Sequence, residues 1–499
     1  MKNFNELIQQ CEQDLRAGQA QKIHLLFKTI NLSKIPREFQ LALANIARRT
    51  GLFLAGLKIL NGTVRTLADA TSAELAEYAV LLQKIGAVEE ASELLNHVNK
   101  DTAPVGHLYQ AFQCFHEWNG AGAVPHLEKF LSSDLSDYDR AVGRINLAAA
   151  LLQSDQGERA ESLLNEDIEA NHAKGYTRLE CNGYELLTQA LLQRADFKSA
   201  RLMIERAHIL LAREESPDIQ FVNKWQAIIE AHERQSIEPL QKLRSEAFER
   251  QDWEVVRDAD LFICKMRFST ELFHKLYFGT PYEFYRKRII TTLDVNVPDL
   301  SRPYGYANAS RKPEPLFDLA KGELIKNGVA EAVVEPGSKI HQVLTSLLMD
   351  LYRPLRVAGI FAYIFPEEIF NPFDSPDRIH RLIARTRKTF KELDVPLEIV
   401  NHHDAYSVHL NGGVGIQLMG NRQLTERNGV LLRQLEGQFG VAGFTPREAI
   451  KFLDVSPSTF KRLVSWGIKA KKIEKIGAGS AVVYRLINNS SHESSGDMR

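Results

Sequence analysis

Apolar residues recur at helical steps from Asn3 to about Met266, separated by short polar breaks and with almost no β-branched alternation. The pattern predicts an all-α first half. In "EYAVLLQKIGAVEEASELLNHV", Val88, Ala91, Leu95 and Val98 fall on one helical face after a turn at Gly86. The same steps recur at Gly120, Ala123, Leu127 and Phe130, and at Phe197, Ala200, Ile204 and Ala207. Small anchors at Ala55, Ala91, Ala123, Ala160 and Ala200 are 36, 32, 37 and 40 residues apart, and 56 residues then pass before a weaker echo at Val256. A small side chain at a fixed step has a physical reason, because the two helices of a hairpin approach closely only where little stands between them.

This pattern resembles degenerate tetratricopeptide repeats over roughly the first half of the chain, with variable spacing and the turn proline mostly missing. The resemblance implies a curved stack of helix pairs that holds a protein or peptide ligand, or a second copy of the chain. An irregular helical array is the alternative. No residue in this half has the neighbours of a catalytic group.

Five of the eighteen prolines lie between Pro281 and Pro315, and "VPDLSRPYGYANASRKPEP" reads as a connector that cannot sustain a helix. The aromatic group Tyr277, Phe278, Tyr282, Phe284 and Tyr285 before it is expected to cap the open end of the repeats. Residues 266–315 are therefore assigned to a capping helix and a Pro-rich connector.

The periodicity then changes. "PLFDLAKGELIKNGVAEAVVEPGSKIHQVLTSLL" predicts short strands broken at Gly322 and Gly328, followed by a helix after Ser338. "SPDRIHRLIARTRKTFKEL" predicts a helix with Ile379, Leu382, Ile383, Thr386, Phe390 and Leu393 on one face, and Arg378, Arg381, Arg385 and Lys388 as a stripe on another. "PLEIVNHHDAYSVHL" reads as a hairpin with His402, His403 and Asp404 at its tip. These histidines are adjacent on a strand rather than at metal-binding spacing, so no metal site is assigned.

The order of strands, helices, basic helix and hairpin over 316–410 resembles the winged-helix output domain of bacterial response regulators and antibiotic-pathway regulators. The resemblance implies groove or phosphate contacts for Arg378, Arg381, Arg385 and Lys388, since a guanidinium fork grips phosphate or a guanine edge bidentately. Tyr406 matches the family's hairpin tyrosine, whereas Ala405 replaces a usual glycine and histidines replace the wing arginine. No phosphoacceptor receiver pattern accompanies this unit.

"NGGVGIQLMG" is expected to be a flexible hinge over 411–423, because its glycines lack the Lys-Ser/Thr ending of a phosphate loop. In 424–487, Thr445, Pro446 and Glu448 form a capping box, and Ser456 caps a helix that begins at Pro457 and is expected to end near Trp466 and Gly467. Two strands follow around Gly477 and Gly479. Phe444 to Leu486 resembles the winged helix-turn-helix of bacterial transcriptional regulators. In that family the start of the third helix meets base edges and phosphates, which implies DNA contacts for Ser458, Thr459, Lys461 and Arg462, with Lys475 and Ser480 in the wing. This stretch carries nine basic residues against three acidic ones. Residues 488–499 are expected to form a disordered tail.

Composition narrows the reading further. With 499 residues, 44% of them hydrophobic, the chain can bury more than one core. The net charge of −1 hides a division, since residues 1–265 sum to −8 and residues 266–499 to +7. No apolar run approaches the roughly 18 residues of a membrane span, and "MKNFNELIQQCEQ" is too polar for a signal peptide. Cys11, Cys114, Cys181 and Cys264 are widely separated and are expected to be reduced and buried.

The expected fold is mainly α, with an N-terminal α-solenoid over 1–265 followed by two α+β winged-helix domains. The expected function is that of a cytoplasmic, non-enzymatic transcriptional regulator that binds double-stranded DNA. Its repeats would bind a protein or peptide or support a homodimer; no cofactor, metal or membrane is assigned. A scaffold whose winged helices dock protein is the alternative.

Overall fold

One backbone geometry recurs at the interhelical turns of the N-terminal part. The computed structural model describes residues 4–16, 19–66, 69–213, 219–307, 314–411, 413–421, 426–440, 442–477 and 482–487. Its first helices are α1 (Phe4–Arg16), α2 (Ala20–Thr29), α3 (Arg37–Arg49), α4 (Phe53–Arg65), α5 (Ser72–Ile85), α6 (Val88–His97), α7 (Val105–His116) and α8 (Gly120–Leu131). They continue as α9 (Asp137–Gln153), α10 (Gly157–Ala173), α11 (Thr177–Gln193), α12 (Phe197–Arg213), α13 (Ile219–Arg234), α14 (Glu238–Glu249) and α15 (Trp253–Met266).

Positive φ occurs after α3, α5, α7, α9, α11, α13 and α14, at Gly51, Gly86, Trp118, Asp155, Ala195, Gln235 and Gln251. In each turn the next N–H donates back into the helix just ended: Leu52 to Ala47, Ala87 to Leu82, Asn119 to Cys114, Gln156 to Leu151, Asp196 to Leu191, Ser236 to Ala231 and Asp252 to Ala247. This closure satisfies a terminal carbonyl and reverses the chain. A repeated hairpin follows from a repeated cap.

The small anchors lie one turn into the second helix of each hairpin, and Ala91, Ala123, Ala160 and Ala200 have no exposed surface. The first anchor is Gly56 rather than Ala55. A Cβ at Gly56 would come within 2.9 Å of Leu81, whereas Ala55 is half-buried. The long interval before Val256 holds a further hairpin, α13–α14, turned at Gln235 and Ser236. Its second helix lacks the small anchor, so the repeat is silent in the apolar pattern.

Two helices, α16 (Thr270–Phe278) and α17 (Glu283–Leu293), end this array. Tyr277, Phe278 and Tyr285 are buried, and Tyr285 packs edge-on at 4.5 Å from Trp118 while its hydroxyl donates to Asp258 at 3.1 Å. The first compact unit comprises residues 1–297, 350–381 and 401–407. It therefore includes chain beyond the expected boundary at 265. The reason lies on α15, where the fully buried Arg257 donates to Asp350 at 2.6 Å and Asp260 accepts from the Tyr352 hydroxyl at 2.9 Å. Buried charges require partners, and here the later segment supplies them.

The second compact unit comprises residues 298–349, 382–400 and 408–499. The expected central domain over 316–410 is thus divided between the two units. The strands β1 (Pro303–Ala307), β2 (Leu316–Asp318), β3 (Glu323–Lys326) and β4 (Val329–Ala332) precede α18 (Lys339–Leu347), which Ser338 caps. Then come β5 (Leu355–Arg356), α19 (Val357–Ile364), α20 (Ser375–Glu392), the hairpin β6 (Leu397–His402) and β7 (Ala405–Leu410), and β8 (Gly415–Met419). Short strands, helices, the basic helix and the hairpin occur in the order read from the sequence, and β5 pairs antiparallel with β7.

The expected hinge at 411–423 is corrected by β8, which lies between β1 and β2 in a five-stranded sheet of order β1-β8-β2-β3-β4. Its Ile416 and Leu418 are fully buried, and Gln417 donates to Asp318 at 2.9 Å. Glycines beside this strand obscured a short alternating pattern. The expected Pro-rich connector likewise contains β1, paired antiparallel with β8.

The last elements are α21 (Arg427–Phe439), α22 (Pro446–Leu453), α23 (Pro457–Lys469), β9 (Ile473–Ile476) and β10 (Val483–Leu486). Phe444 bridges Tyr484, and Leu435, Phe444, Ala449, Leu463 and Ile473 form the core. Helix α23 runs through Gly467 instead of ending there. A Cβ at Gly467 would lie 2.5 Å from Ile473, so the glycine serves close packing of helix on strand. The expected tail at 488–499 lies outside the described residues. The chain is mainly α, with an N-terminal α-solenoid and α+β elements after it.

Candidate nucleic-acid interface

Helix α20 carries the central basic stripe. Ile379, Ile383, Thr386 and Phe390 are buried, which turns Arg381, Arg385 and Lys388 outward, and all three are exposed. Arg381 bonds through its Nε to the Asp377 carbonyl at 3.3 Å, and Lys388 lies 3.6 Å from Glu392. Both contacts are solvent-exposed and weak.

Arg378 departs from the expected groove contact. Its guanidinium donates twice to Glu368, at 2.5 and 3.1 Å, and stacks 4.1 Å from the Phe365 ring centroid. A carboxylate and a ring face already hold this fork. Arg387, absent from the sequence-based candidates, donates to the Ile399 carbonyl at 2.6 and 2.9 Å and ties the helix to the hairpin. Its position off the stripe was the available signal.

The tip of that hairpin is also engaged. His402 packs edge-on at 5.3 Å from Trp253 and shares a hydrogen bond with the Ser407 hydroxyl at 2.9 Å. Burial, then the neighbouring His403, holds its imidazolium below the usual range. At the turn His403 has φ of 58°, a conformation in which glycine is usual.

In the C-terminal elements, Ser456 accepts from the Thr459 N–H at 3.2 Å, and its hydroxyl lies 2.8 Å from that of Ser458 and 3.0 Å from that of Thr459. Thr459 is buried at 9% exposure and also accepts from Arg462 at 3.2 Å. Its hydroxyl is thus engaged by Ser456 and Arg462 inside the helix start, in place of the base-facing position expected for it. Arg462 is half-buried and lies near enough to Arg427 to join burial in holding that guanidinium below its usual range.

The outward face of α23 presents Ser458, Lys461, Ser465 and Lys469, all exposed. Lys475 is exposed on β9 opposite Tyr484, and Arg485 is exposed on β10 opposite Glu474. Ser480 lies outside the described residues. Ser465 and Lys469 lie at helical steps from Lys461 on the same face, whereas Arg485, paired with Glu474, lies on the ribbon face opposite Lys475. Ser458, Lys461 and Lys475 are thus presented to solvent by one small folded core, whereas Thr459 faces it.

No protein-family model matches the chain, and no curated protein matches it. Among solved structures it is similar to a Rap protein complexed with competence and sporulation factor, at 15% identity and a TM-score of 0.37 over 58% of this chain and 84% of that one. It is also similar to the apo form of RapI, at 10% identity and a TM-score of 0.36 over 58% of this chain and 94% of that one. The repeat architecture rests on the chain's own hairpins and turns.

Among the described residues no helix is long and apolar enough to cross a membrane. The exposed face of α23 carries ammonium and hydroxyl groups.

Proposed function

We propose that the chain is a cytoplasmic, non-enzymatic DNA-binding regulator of transcription whose helical repeats bind a protein or peptide or a second copy of the chain. One observation carries the reading: Lys461 and Lys469 line the exposed face of α23, and Lys475 and Arg485 extend from the strands that follow it. A helix with this face enters the major groove while the adjoining hairpin touches the backbone. Exposed Leu202 and Ile209, each at 52% on α12, support association through the repeats.

A second reading, docking of protein by the C-terminal winged helix, is favoured by exposed apolar side chains on the same elements. Phe452, Ile468 and Ile476 are 44%, 42% and 39% exposed. Selection of bound duplexes from random DNA by the full chain, followed by salt titration of the winners, separates the two. DNA regulation requires enrichment of a shared sequence and affinity that falls steeply with salt. Recovery of no shared sequence, with salt-insensitive retention, favours docking.

A further inference from the structure

Helix α19 sits close to the turn of the second hairpin. A Cβ at Gly359 would lie 2.7 Å from Leu355 Cδ1 and 3.6 Å from the Gly86 carbonyl oxygen, and one at Gly86 would lie 3.5 Å from the Gly359 nitrogen. The two backbones lie at ordinary van der Waals contact there, and Gly86 is required by its φ of 95° rather than by space. Beside that approach, next to the turn of the first hairpin, a cavity of 190 Å³ remains open. All its lining residues belong to the first compact unit.

The cavity has an apolar wall and a charged wall. Phe53, Leu54, Ile85 and Phe370 contribute to the first, while Arg356, Asp404 and His380 contribute to the second. Arg356 stacks with its guanidinium carbon 5.6 Å from the Phe53 ring centroid, which steadies the fork beside the apolar wall. Among the described residues no carboxylate forms an ion pair with Arg356, although Asp404 acts on it electrostatically.

Local charge decides the sign of the missing partner. Arg353 acts on Arg356, and both act on Lys84; Arg353 has Glu254 at 3.9 Å, whereas the carboxylate that acts on Arg356 itself is Asp404 on the cavity wall. Crowding by protein, then Arg48, Arg353 and Arg356, holds the Lys84 ammonium below its usual range. A further cation would add to the repulsion, whereas an anion beside Arg356 would relieve it and use the free fork bidentately.

Size decides the rest. A volume of 190 Å³ is below the roughly 300–1,000 Å³ of sites for drug-sized ligands. It admits a single ring with a short acidic arm. We propose that this cavity binds a small amphipathic carboxylate, with its apolar body against Phe53, Leu54 and Phe370 and its carboxylate on Arg356. The site goes beyond the regulatory reading above and stands whether or not the chain reads DNA.

The test uses the full chain and phenylacetate, with benzylamine as the same ring bearing the opposite charge and acetate as the acid without a ring. Calorimetric titration is expected to give saturable phenylacetate binding at least about tenfold tighter than either control. Leu54→Trp, which fills the cavity, abolishes that binding, and Arg356→Gln weakens it at least about tenfold, a loss typical of removing a charge-assisted pair. Circular dichroism establishes that each variant is folded; if Arg356→Gln is not, Leu54→Trp and the benzylamine comparison still decide. Absence of phenylacetate binding at about 10 mM, equal binding of benzylamine, or undiminished binding by folded Leu54→Trp overturns the proposal.

Discussion

The Arg257 guanidinium, with no exposed surface, donates to the Asp350 carboxylate at 2.6 Å across 93 positions of sequence. The rings of Tyr282, Tyr285 and Tyr352 lie 5.8, 5.4 and 5.3 Å from its central carbon. A helical array truncated at residue 265 keeps the arginine and loses its carboxylate and all three rings. The repeats are consequently a longer cooperative structure than their sequence period suggests.

Breaking that pair is expected to cost about 3 kcal/mol, since the other charge stays buried and unpaired. Asp350→Ala should show this loss in urea unfolding of the full chain. An unchanged midpoint for Asp350→Ala would count against the account.

Glu90 on α6 accepts the Phe370 N–H at 2.9 Å, and burial pushes its carboxyl up to about 7. The folded state then binds a proton more tightly than the unfolded chain, whose carboxyl titrates near the ordinary value of 4.5. Stability is therefore expected to fall as pH rises from about 4.5 to about 7, and the loss is complete above that range. Glu90→Gln retains an acceptor for the Phe370 N–H and removes the titration. Thermal unfolding across this range should show a weaker pH dependence in the variant, which should be the more stable protein at pH 8.

Within the central stripe, Arg378 and its neighbours should behave differently. Replacing Arg381 and Arg385 together by Ala should weaken binding to all duplexes alike and flatten the salt dependence by up to about two units of slope. Arg378→Ala should leave that slope unchanged and lower thermal stability, because it removes the Glu368 pair and the Phe365 stack. Salt titrations of DNA affinity, paired with melting curves, distinguish the two. A slope lost in Arg378→Ala would show that the intramolecular pair opens on binding.

At the start of α23, Thr459→Ala should cost about 1 kcal/mol, the usual net worth of a buried hydroxyl's hydrogen bonds, here to Ser456 and Arg462, with base preference intact. Lys461→Ala and Lys475→Ala should instead leave stability unchanged and lower DNA affinity. Binding to a panel of single-base variants at fixed salt checks both statements. Altered base preference in Thr459→Ala without loss of stability would return its hydroxyl to the groove.

What the chain determined locally was legible in its order of residues. Ser338, Thr445 and Ser456 announced their helices because a cap needs only neighbours a few residues away, and each side chain accepts the backbone N–H three positions on. Ala91, Ala123, Ala160 and Ala200 announced the hairpins because close approach of two helices imposes a small residue at one step. The α13–α14 hairpin escaped because its second helix carries no small anchor at that step, although its turn at Gln235 has the backbone geometry of the others.

Only the tertiary structure decided the rest. Strand β8 is read as a hinge from its glycines, yet its place between β1 and β2 depends on partners more than ninety positions away in the chain. Arg378 and Arg381 are indistinguishable in the stripe, and the position of Glu368 alone separates a held guanidinium from an exposed one. Thr459 faces inward because the α23 core fixes the rotation of that helix. Local hydrogen bonds are encoded by neighbours, whereas burial and charge pairing are set by what the completed fold places around each side chain.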